Sequence, residues 1–162
     1  MKQDRFLIGI LVGIGVLIVV ALVLFFTRQD KQEYVAEDTP EGVVHNYALA
    51  IYKEDYEKAY GYLAEMKDKP TYDQFRQAFF KHIINPSNAG LELGGTEIVG
   101  EEANVTVYLI YNPSDPFSSS TRNADTARLE RQNGQWKILQ MPYNFWSYDW
   151  YQPTAEPVPA PK

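Results

Sequence analysis

The sequence predicts an α+β domain that follows a membrane-spanning helix, and three observations carry this prediction. Residues Phe6 to Phe26 form an unbroken run of 21 apolar side chains and glycines. Between Thr39 and Pro86, apolar residues recur three and four positions apart, which is the period of an amphipathic helix. After Gly90 the spacing changes to two, the period of a half-buried strand. Helices followed by a run of strands are typical of the α+β class.

The apolar run has the length of a membrane anchor. At a rise of ~1.5 Å per residue it makes a helix of roughly 30 Å, which matches the hydrocarbon core of a bilayer. A signal peptide has a shorter apolar core that ends in a small-residue cleavage site, whereas this run is longer and lacks such a site. Lys2 and Arg5 before the run balance Arg28 and Lys31 after it. The short amino-terminal tail is typical of a cytoplasmic start, so we expect the following domain to lie outside the cytoplasm.

Three glycines give the anchor a candidate packing face. Gly9 and Gly13 form a G-x-x-x-G spacing, with Gly15 close by. Such a face lets a second helix approach closely in the bilayer. Glycine is also common in membrane helices in general, so the spacing leaves open whether the anchor packs against another helix or only tethers the domain.

The composition of the remaining chain limits the partners and the chemistry that it can have. Residues 32–162 carry 11 Lys and Arg against 19 Asp and Glu, a net charge of −8, which argues against nucleic acid and anionic lipid as partners. The chain has no cysteine, so a Cys nucleophile and a Cys/His zinc cluster are excluded. The predicted organisation is a tail (1–5), the anchor (6–26), a polar linker (27–38), a domain (39–142), an aromatic tail (143–152) and a proline-rich flexible end (153–162).

The domain opens with three predicted helices, each with a start signal. Thr39-Pro40 begins the first, Asp55 caps the second, and Thr71 with Gln74 forms a capping box for the third. The third is expected to stop before Asn85-Pro86. Their apolar stripes are, in order, Val44, Tyr47, Ala48 and Ile51; Tyr56, Ala59, Tyr60, Leu63 and Ala64; and Tyr72, Phe75, Phe79, His82 and Ile83.

About four antiparallel strands follow. The clearest alternation runs from Ala103 to Tyr111, preceded by a weaker strand from Leu91 to Val99, in which Gly94-Gly95 marks a bulge. A polar loop from Asn112 to Thr121 contains two prolines and separates these strands from the next pair. Asn133-Gly134 predicts the tight hairpin turn that joins that last pair.

This element order resembles the nuclear transport factor 2-like superfamily, whose cone-shaped fold includes ketosteroid isomerase and polyketide cyclase relatives. The matching features are the Thr39-Pro40 start, the run from Lys53 to Tyr60, and the closing N-G-Q-W-K-I from Asn133 to Ile138. The resemblance implies a cavity between the helices and the concave face of the sheet. Its candidate lining residues are Tyr47, Tyr60, Phe75, Phe79, His82 and Trp136, although aromatic residues at helical spacing more often form a core.

Catalytic residues are hard to assign. Only His45 and His82 are available as histidines, and His82 would need a carboxylate such as Asp73 or Glu97 beside it to act as a base. The acid and hydroxyl set of the isomerases in the resembled superfamily does not map onto this sequence. We therefore expect no catalytic residues, no cofactor and no metal site.

The stretch from Tyr143 to Tyr151, hereafter the aromatic segment, holds six aromatics in nine residues. Rings with a polar end suit a protein interface or a membrane headgroup layer, but the segment is equally able to cover its own domain. The candidate contact residues are Tyr143, Phe145, Trp146, Tyr148, Trp150 and Tyr151.

Together these features favour a single-pass anchored protein without catalytic activity. Its domain would mediate protein contacts, for instance as an accessory subunit of a membrane complex. The expected partners are the bilayer through residues 6–26 and another membrane protein or a second copy of the chain, with no nucleic acid. The alternative is a small-ligand-binding or isomerase/cyclase-like domain that uses the cone cavity.

Overall fold

The computed structural model describes residues 5–27, 33–111 and 119–151, and the chain divides into two compact units, residues 1–33 and 34–162. The first unit contains one helix, α1 (Arg5–Thr27). Its large apolar side chains between Ile8 and Leu24 are 46–69% exposed. Over the described stretches of the chain, no helix meets the length and apolarity that a membrane crossing requires.

The second unit is an α+β domain, which confirms the predicted fold class. Its helices are α2 (Pro40–Tyr52), α3 (Tyr56–Gly61) and α4 (Tyr72–Phe80), with short 3-10 turns at Pro86–Asn88 and Tyr143–Phe145. Its strands are β1 (Gly90–Val99), β2 (Glu102–Tyr111), β3 (Thr121–Gln132) and β4 (Gln135–Gln140). The strands form one antiparallel sheet in the order β1-β2-β3-β4.

All three predicted helix starts are confirmed. The Thr39 hydroxyl accepts a hydrogen bond from the Gly42 N–H at 3.1 Å, and the Asp55 carboxylate accepts one from the Lys58 N–H at 3.2 Å. At Thr71 the capping box is complete, because its hydroxyl accepts from the Gln74 N–H while the Gln74 side chain accepts from the Thr71 N–H. Each cap satisfies backbone N–H groups that have no partner within the helix.

The predicted second helix is too long. It ends at Gly61, and the next residues pair with β4: the Ala64 N–H donates to the Ile138 carbonyl at 2.9 Å, and the Ile138 N–H donates to the Tyr62 carbonyl at 2.8 Å. Residues 62–64 pair with β4 through an isolated parallel bridge between Leu63 and Ile138, so the helix does not continue through them. Leu63 and Ala64 are buried all the same.

The prediction that His82 and Ile83 lie on the buried stripe of the third helix is wrong. Helix α4 ends at Phe80, and His82 adopts a left-handed backbone conformation with a φ of 54°. The carbonyl of Ala78 accepts the N–H groups of both Ile83 and Ile84. This tight turn buries Ile84 and leaves His82 and Ile83 exposed.

The predicted features of the sheet are confirmed where the structure describes them. Pairing between β1 and β2 shifts between Leu93 and Thr96, which is the bulge expected at Gly94-Gly95. A Cβ on Gly94 would lie 2.8 Å from the Tyr108 ring, so this position excludes a side chain. Asn133 and Gly134 have φ values of 51° and 80°, the positive angles that a tight hairpin requires. Most of the predicted polar loop, residues 112–118, lies outside the described residues.

The core lies between the helices and one face of the sheet. On β2 the buried residues alternate with more exposed ones, as the sequence predicts. The fully buried side chains from the sheet include Val105, Val107, Leu129 and Ile138, and those from the helices include Val44, Tyr47 and Phe75. All belong to one apolar cluster.

The predicted linker ends earlier than residue 38. Asn46 of α2 is fully buried, and its side-chain oxygen accepts the Val35 N–H while its side-chain nitrogen donates to the Val35 carbonyl, both at 2.8 Å. The Tyr62 hydroxyl donates to the Glu37 carboxylate at 2.7 Å. Residues from Tyr34 onward are therefore part of the domain, joined to it by this Asn46–Val35 clasp.

Candidate functional site

The aromatic segment folds back into the domain. Phe145 is 0% exposed, Trp146 8% and Trp150 6%, so these three rings are not available for the partner or membrane contact predicted for them. Tyr143 and Tyr148 remain 70% and 85% exposed, and for them the predicted contact stays a prediction. The segment therefore divides into a buried side and an exposed side.

The buried rings of the aromatic segment pack against Phe75 and Phe79 of α4, two of the candidate cavity residues. Trp150 stacks on Phe75 with ring centroids 4.9 Å apart and an interplanar angle of 27°. Trp146 meets Trp150 edge-on at 5.0 Å and stacks on Tyr151 at 5.7 Å. Offset-stacked and edge-on rings at these distances are favourable beyond the area that they bury. The segment thus extends the core that α4 begins.

Two tyrosine hydroxyls bond backbone carbonyls and so fix the segment in place. Tyr47, fully buried on α2, donates to the carbonyl of Phe145 at 2.8 Å. Tyr151 donates to the carbonyl of Ala64 at 2.5 Å. Burial raises the pKa of both hydroxyls, because the phenolate would lose its hydration. At neutral pH both groups are therefore hydrogen-bond donors rather than bases.

The six candidate cavity residues have different environments. Tyr47, Phe75, Phe79 and Trp136 are buried as core, and Tyr60 is half-buried with its hydroxyl donating to the Pro70 carbonyl at 2.9 Å. His82 lies on the exposed turn after α4, so its predicted place in the lining is wrong. None of the six contributes a carboxylate or an imidazole to the interior, where acid–base chemistry would need one.

Two grooves lie at the surface of the described part of the domain. A groove of about 380 Å³ runs between α4 and the aromatic segment, and its lining includes Gln77, Lys81 and Asp149. A second, of about 330 Å³, lies over Trp136 and Tyr62. Neither has the mostly apolar, enclosed lining that is typical of small-molecule sites.

Tyr111, at the end of β2, forms a polar cluster with two residues of the aromatic segment. The hydroxyl of Tyr111 lies 2.9 Å from that of Tyr143 and donates to the Asn144 side-chain oxygen at 2.8 Å. Burial and the neighbouring Tyr143 raise the pKa of Tyr111 to about 12. Among the described residues, no group of three or more His, Asp or Glu side chains is placed to hold a metal ion.

The packing face predicted in α1 is open. A Cβ added at Gly9, Gly13 or Gly15 would meet no atom within 4 Å beyond its own helix backbone. The glycines therefore leave room for a close neighbour along this helix.

Sequence reasoning missed two features. One is the Asn46–Val35 clasp. The sequence indicates it through the amide of Asn46 within Val43-Val44-His45-Asn46-Tyr47, because a buried amide needs hydrogen-bond partners. The other is a ring–guanidinium stack on the outside of α4, signalled by Tyr72, Arg76 and Phe80 at four-residue spacing.

Comparison with known proteins finds similarity only at the level of structure. No family model matches the sequence, and no curated protein is significantly similar to it. A SEC-C motif containing protein from Rhodopseudomonas palustris has a TM-score of 0.48 at 12% identity, covering 65% of this chain and 79% of its own.

An NTF2-like protein of unknown function from Pseudomonas putida has a TM-score of 0.44 at 16% identity, covering 67% of this chain and 84% of its own. Both scores lie below 0.5. The fold described above therefore rests on the element order and sheet topology of this chain.

Proposed function

We propose that this chain is a single-pass membrane protein without catalytic activity, whose domain lies outside the cytoplasm and binds another membrane protein. In this role it would serve as an accessory subunit of a larger complex. The nuclear transport factor 2-like relationship is part of the same proposal, since that architecture supports many roles and does not itself define one.

The membrane anchor is supported by the sequence of residues 6–26. Their 21 apolar residues and glycines have the length of a bilayer's hydrocarbon core. The exposed aliphatic side chains of α1 would lose contact with water in lipid, at roughly 25 cal/mol for each Å² transferred. A helix that is apolar on all sides is typical of a membrane span.

One observation carries the absence of catalysis: the interior is filled by the chain itself. Trp150, a ring of the aromatic segment, is 6% exposed and stacks on Phe75, which the resemblance predicts to line a cavity. A substrate would have to displace a ring that is 6% exposed and held between aromatic neighbours. The filled interior counts against the ligand-binding alternative and favours a role for the outer surface.

Cysteine labelling tests the anchor and its orientation. Because the natural chain has no cysteine, Glu97→Cys on the exposed side of β1 places one thiol in the domain. We expect a membrane-impermeant maleimide to label this variant in intact cells, and alkaline carbonate to leave the chain in the membrane. Labelling only after lysis would show that the domain faces the cytoplasm. Release of the chain by carbonate would show that residues 6–26 do not anchor it in the membrane.

Cross-linking in native membranes tests the docking role. We expect links between the domain and a second membrane protein at native abundance, and their complete absence would overturn the proposal.

Thermal-shift screening of the full chain against apolar metabolites tests the alternative. A ligand that raises the melting temperature would support the ligand-binding alternative, because a compound that binds only the folded state must stabilise that state.

A further inference from the structure

Residues 34–37, hereafter the strap, lie against the domain although they precede its first helix and are not helical themselves. The buried side chain of Asn46 bonds both the N–H and the carbonyl of Val35 at 2.8 Å. Two residues further on, the Glu37 carboxylate accepts a hydrogen bond from the Tyr62 hydroxyl at 2.7 Å. The strap is therefore bonded to both α2 and the residue that follows α3.

Gly42 shows how closely the strap approaches α2. A Cβ at this position would overlap the backbone carbonyl oxygen of Ala36, so only glycine leaves room for the strap. Glycine weakens a helix interior relative to alanine, because it loses more conformational freedom on folding. Helix α2 therefore carries a residue that is unfavourable for the helix alone and that permits contact with the strap.

The strap shortens the connection between the membrane anchor and the domain. Tyr34 is seven residues beyond Thr27, the last residue of α1, whereas Thr39, the cap of α2, is twelve residues beyond it. At ~3.3–3.6 Å for each extended residue, the first connection spans at most about 25 Å and the second about 42 Å. In a membrane-anchored chain, the bound strap therefore gives the domain a shorter reach from the bilayer.

We infer that the strap limits how far the domain can move from the bilayer and so favours a partner whose extramembrane part lies close to the membrane. This inference rests on the proposed function, because it requires both the anchor and a partner. The effective concentration of a tethered domain at a nearby site falls roughly as the −3/2 power of linker length. Release of the strap, which lengthens the linker from seven to twelve residues, should lower that concentration about twofold.

Hydrogen exchange tests whether the strap is closed. The variant is Gly42→Ala in the full chain in lipid nanodiscs, and the matched control is Gly61→Ala, whose added Cβ meets no atom within 4 Å. We expect Gly42→Ala to speed exchange of the Val35 N–H about tenfold, because the displaced strap loses its bonds to Asn46. Gly61→Ala should leave the rate within about twofold. An unchanged rate in Gly42→Ala would overturn the inference.

Spin-label distances in the same nanodiscs test the reach. Because the natural chain has no cysteine, Thr27→Cys with Glu97→Cys places one label at the end of α1 and one on β1. Adding Gly42→Ala should extend the distance distribution by up to about 17 Å, the span of five extended residues. Adding Gly61→Ala should leave it unchanged. Identical distributions in all three chains would show that the strap does not limit the reach.

A linker insertion connects the reach to partner binding. Five Gly and Ser residues inserted before Tyr34 lengthen the connection and leave the hydrogen bonds of the strap in place. In native membranes, we expect this insertion and Gly42→Ala each to lower the yield of cross-links to the partner about twofold. Gly61→Ala should give the wild-type yield. The insertion thus separates the length of the connection from the stability of the domain.

The outcomes distinguish this inference from the proposed function. If cross-links to a partner form with equal yield in the wild type, the insertion variant and Gly42→Ala, the strap has no role in docking, although docking itself stands. A loss in Gly42→Ala that the insertion does not reproduce would also overturn the inference, because it would reflect the structure of α2 rather than the reach. If the wild-type chain links to no partner, both proposals fall.

Discussion

Two apolar stretches of this chain have opposite environments. The predicted anchor, residues 6–26, has exposed aliphatic side chains between Ile8 and Leu24. The aromatic segment, residues 143–151, inserts Phe145, Trp146 and Trp150 into the core of the domain. Both stretches are predicted contact surfaces, so the difference lies in what each stretch is able to bond and pack against.

Polar groups and shape explain the difference. The rings of the aromatic segment pack against aromatic rings of α4. The hydroxyls of Tyr47 and Tyr151 donate to backbone carbonyls that would otherwise be buried without a hydrogen-bond partner. Aliphatic side chains of α1 have no polar atom that could fix them to a particular neighbour. Hydrogen bonds and ring contacts therefore hold the aromatic segment at one position in the domain.

The largest expected effect comes from removing the ring that fills the interior. Trp150→Ala should lower the free energy of unfolding of the domain by about 3–5 kcal/mol, because it leaves a cavity against Phe75 and Trp146. Urea unfolding of the full chain in detergent, followed by near-ultraviolet circular dichroism, measures this. Tyr148→Ala is the control, since that side chain is 85% exposed and should change the value by less than about 0.5 kcal/mol. If Trp150→Ala lowered the free energy of unfolding no more than Tyr148→Ala does, the segment would not stabilise the domain.

A smaller, pH-dependent effect is expected from the Tyr47 hydroxyl. At neutral pH, Tyr47→Phe should cost about 1–3 kcal/mol, because the buried carbonyl of Phe145 loses its donor. Burial raises the pKa of Tyr47 in the folded state, so above pH ~10 only the unfolded wild-type chain ionises at this position.

The contribution of Tyr47 is therefore complete below pH ~10 and falls as the pH rises further, by about 1.4 kcal/mol per unit. The stability difference between wild type and Tyr47→Phe should narrow over that range, because the other tyrosines are common to both chains. Urea unfolding at pH 8, 10 and 11 measures it. A difference that stayed constant would contradict the buried, neutral hydroxyl.

The smallest effect on the domain is expected from the anchor. Gly9→Leu with Gly13→Leu should change domain unfolding by less than about 0.5 kcal/mol, since both positions belong to the other compact unit of the chain. The same pair should weaken association in the membrane, because bulky side chains keep a second backbone at a distance. Cross-linking yield in native membranes is the measurement. If association survives, the anchor is only a tether.

Local chemistry made much of the fold predictable. The caps at Thr39, Asp55 and Thr71 depend on residues within three positions, and the Asn133-Gly134 turn depends on two. The end of α4 was not predictable in this way. Ile83 and Ile84 are equally apolar neighbours, and which of them is buried depends on a turn in which one carbonyl accepts two N–H groups.

The candidate site was less predictable because its contacts are distant in sequence. Tyr47 and Phe145 are 98 positions apart, and Tyr151 and Ala64 are 87 apart. No pattern within the aromatic segment itself indicates that matching rings exist on α4. The contact of Arg76 with the rings of Tyr72 and Phe80 on α4, by contrast, is visible in the sequence as a four-residue spacing.

The Asn46–Val35 clasp determines where this protein can be cut. A fragment that begins at Thr39, the boundary suggested by the first helix cap, would lack Val35 and Glu37. The amide of Asn46 would then be buried with both of its partners missing, at a cost comparable to that of a damaging core mutation. A protease acting on the intact chain should find bonds after residue 34 protected. A fragment that keeps these hydrogen bonds therefore begins at or before Tyr34, where the second compact unit starts.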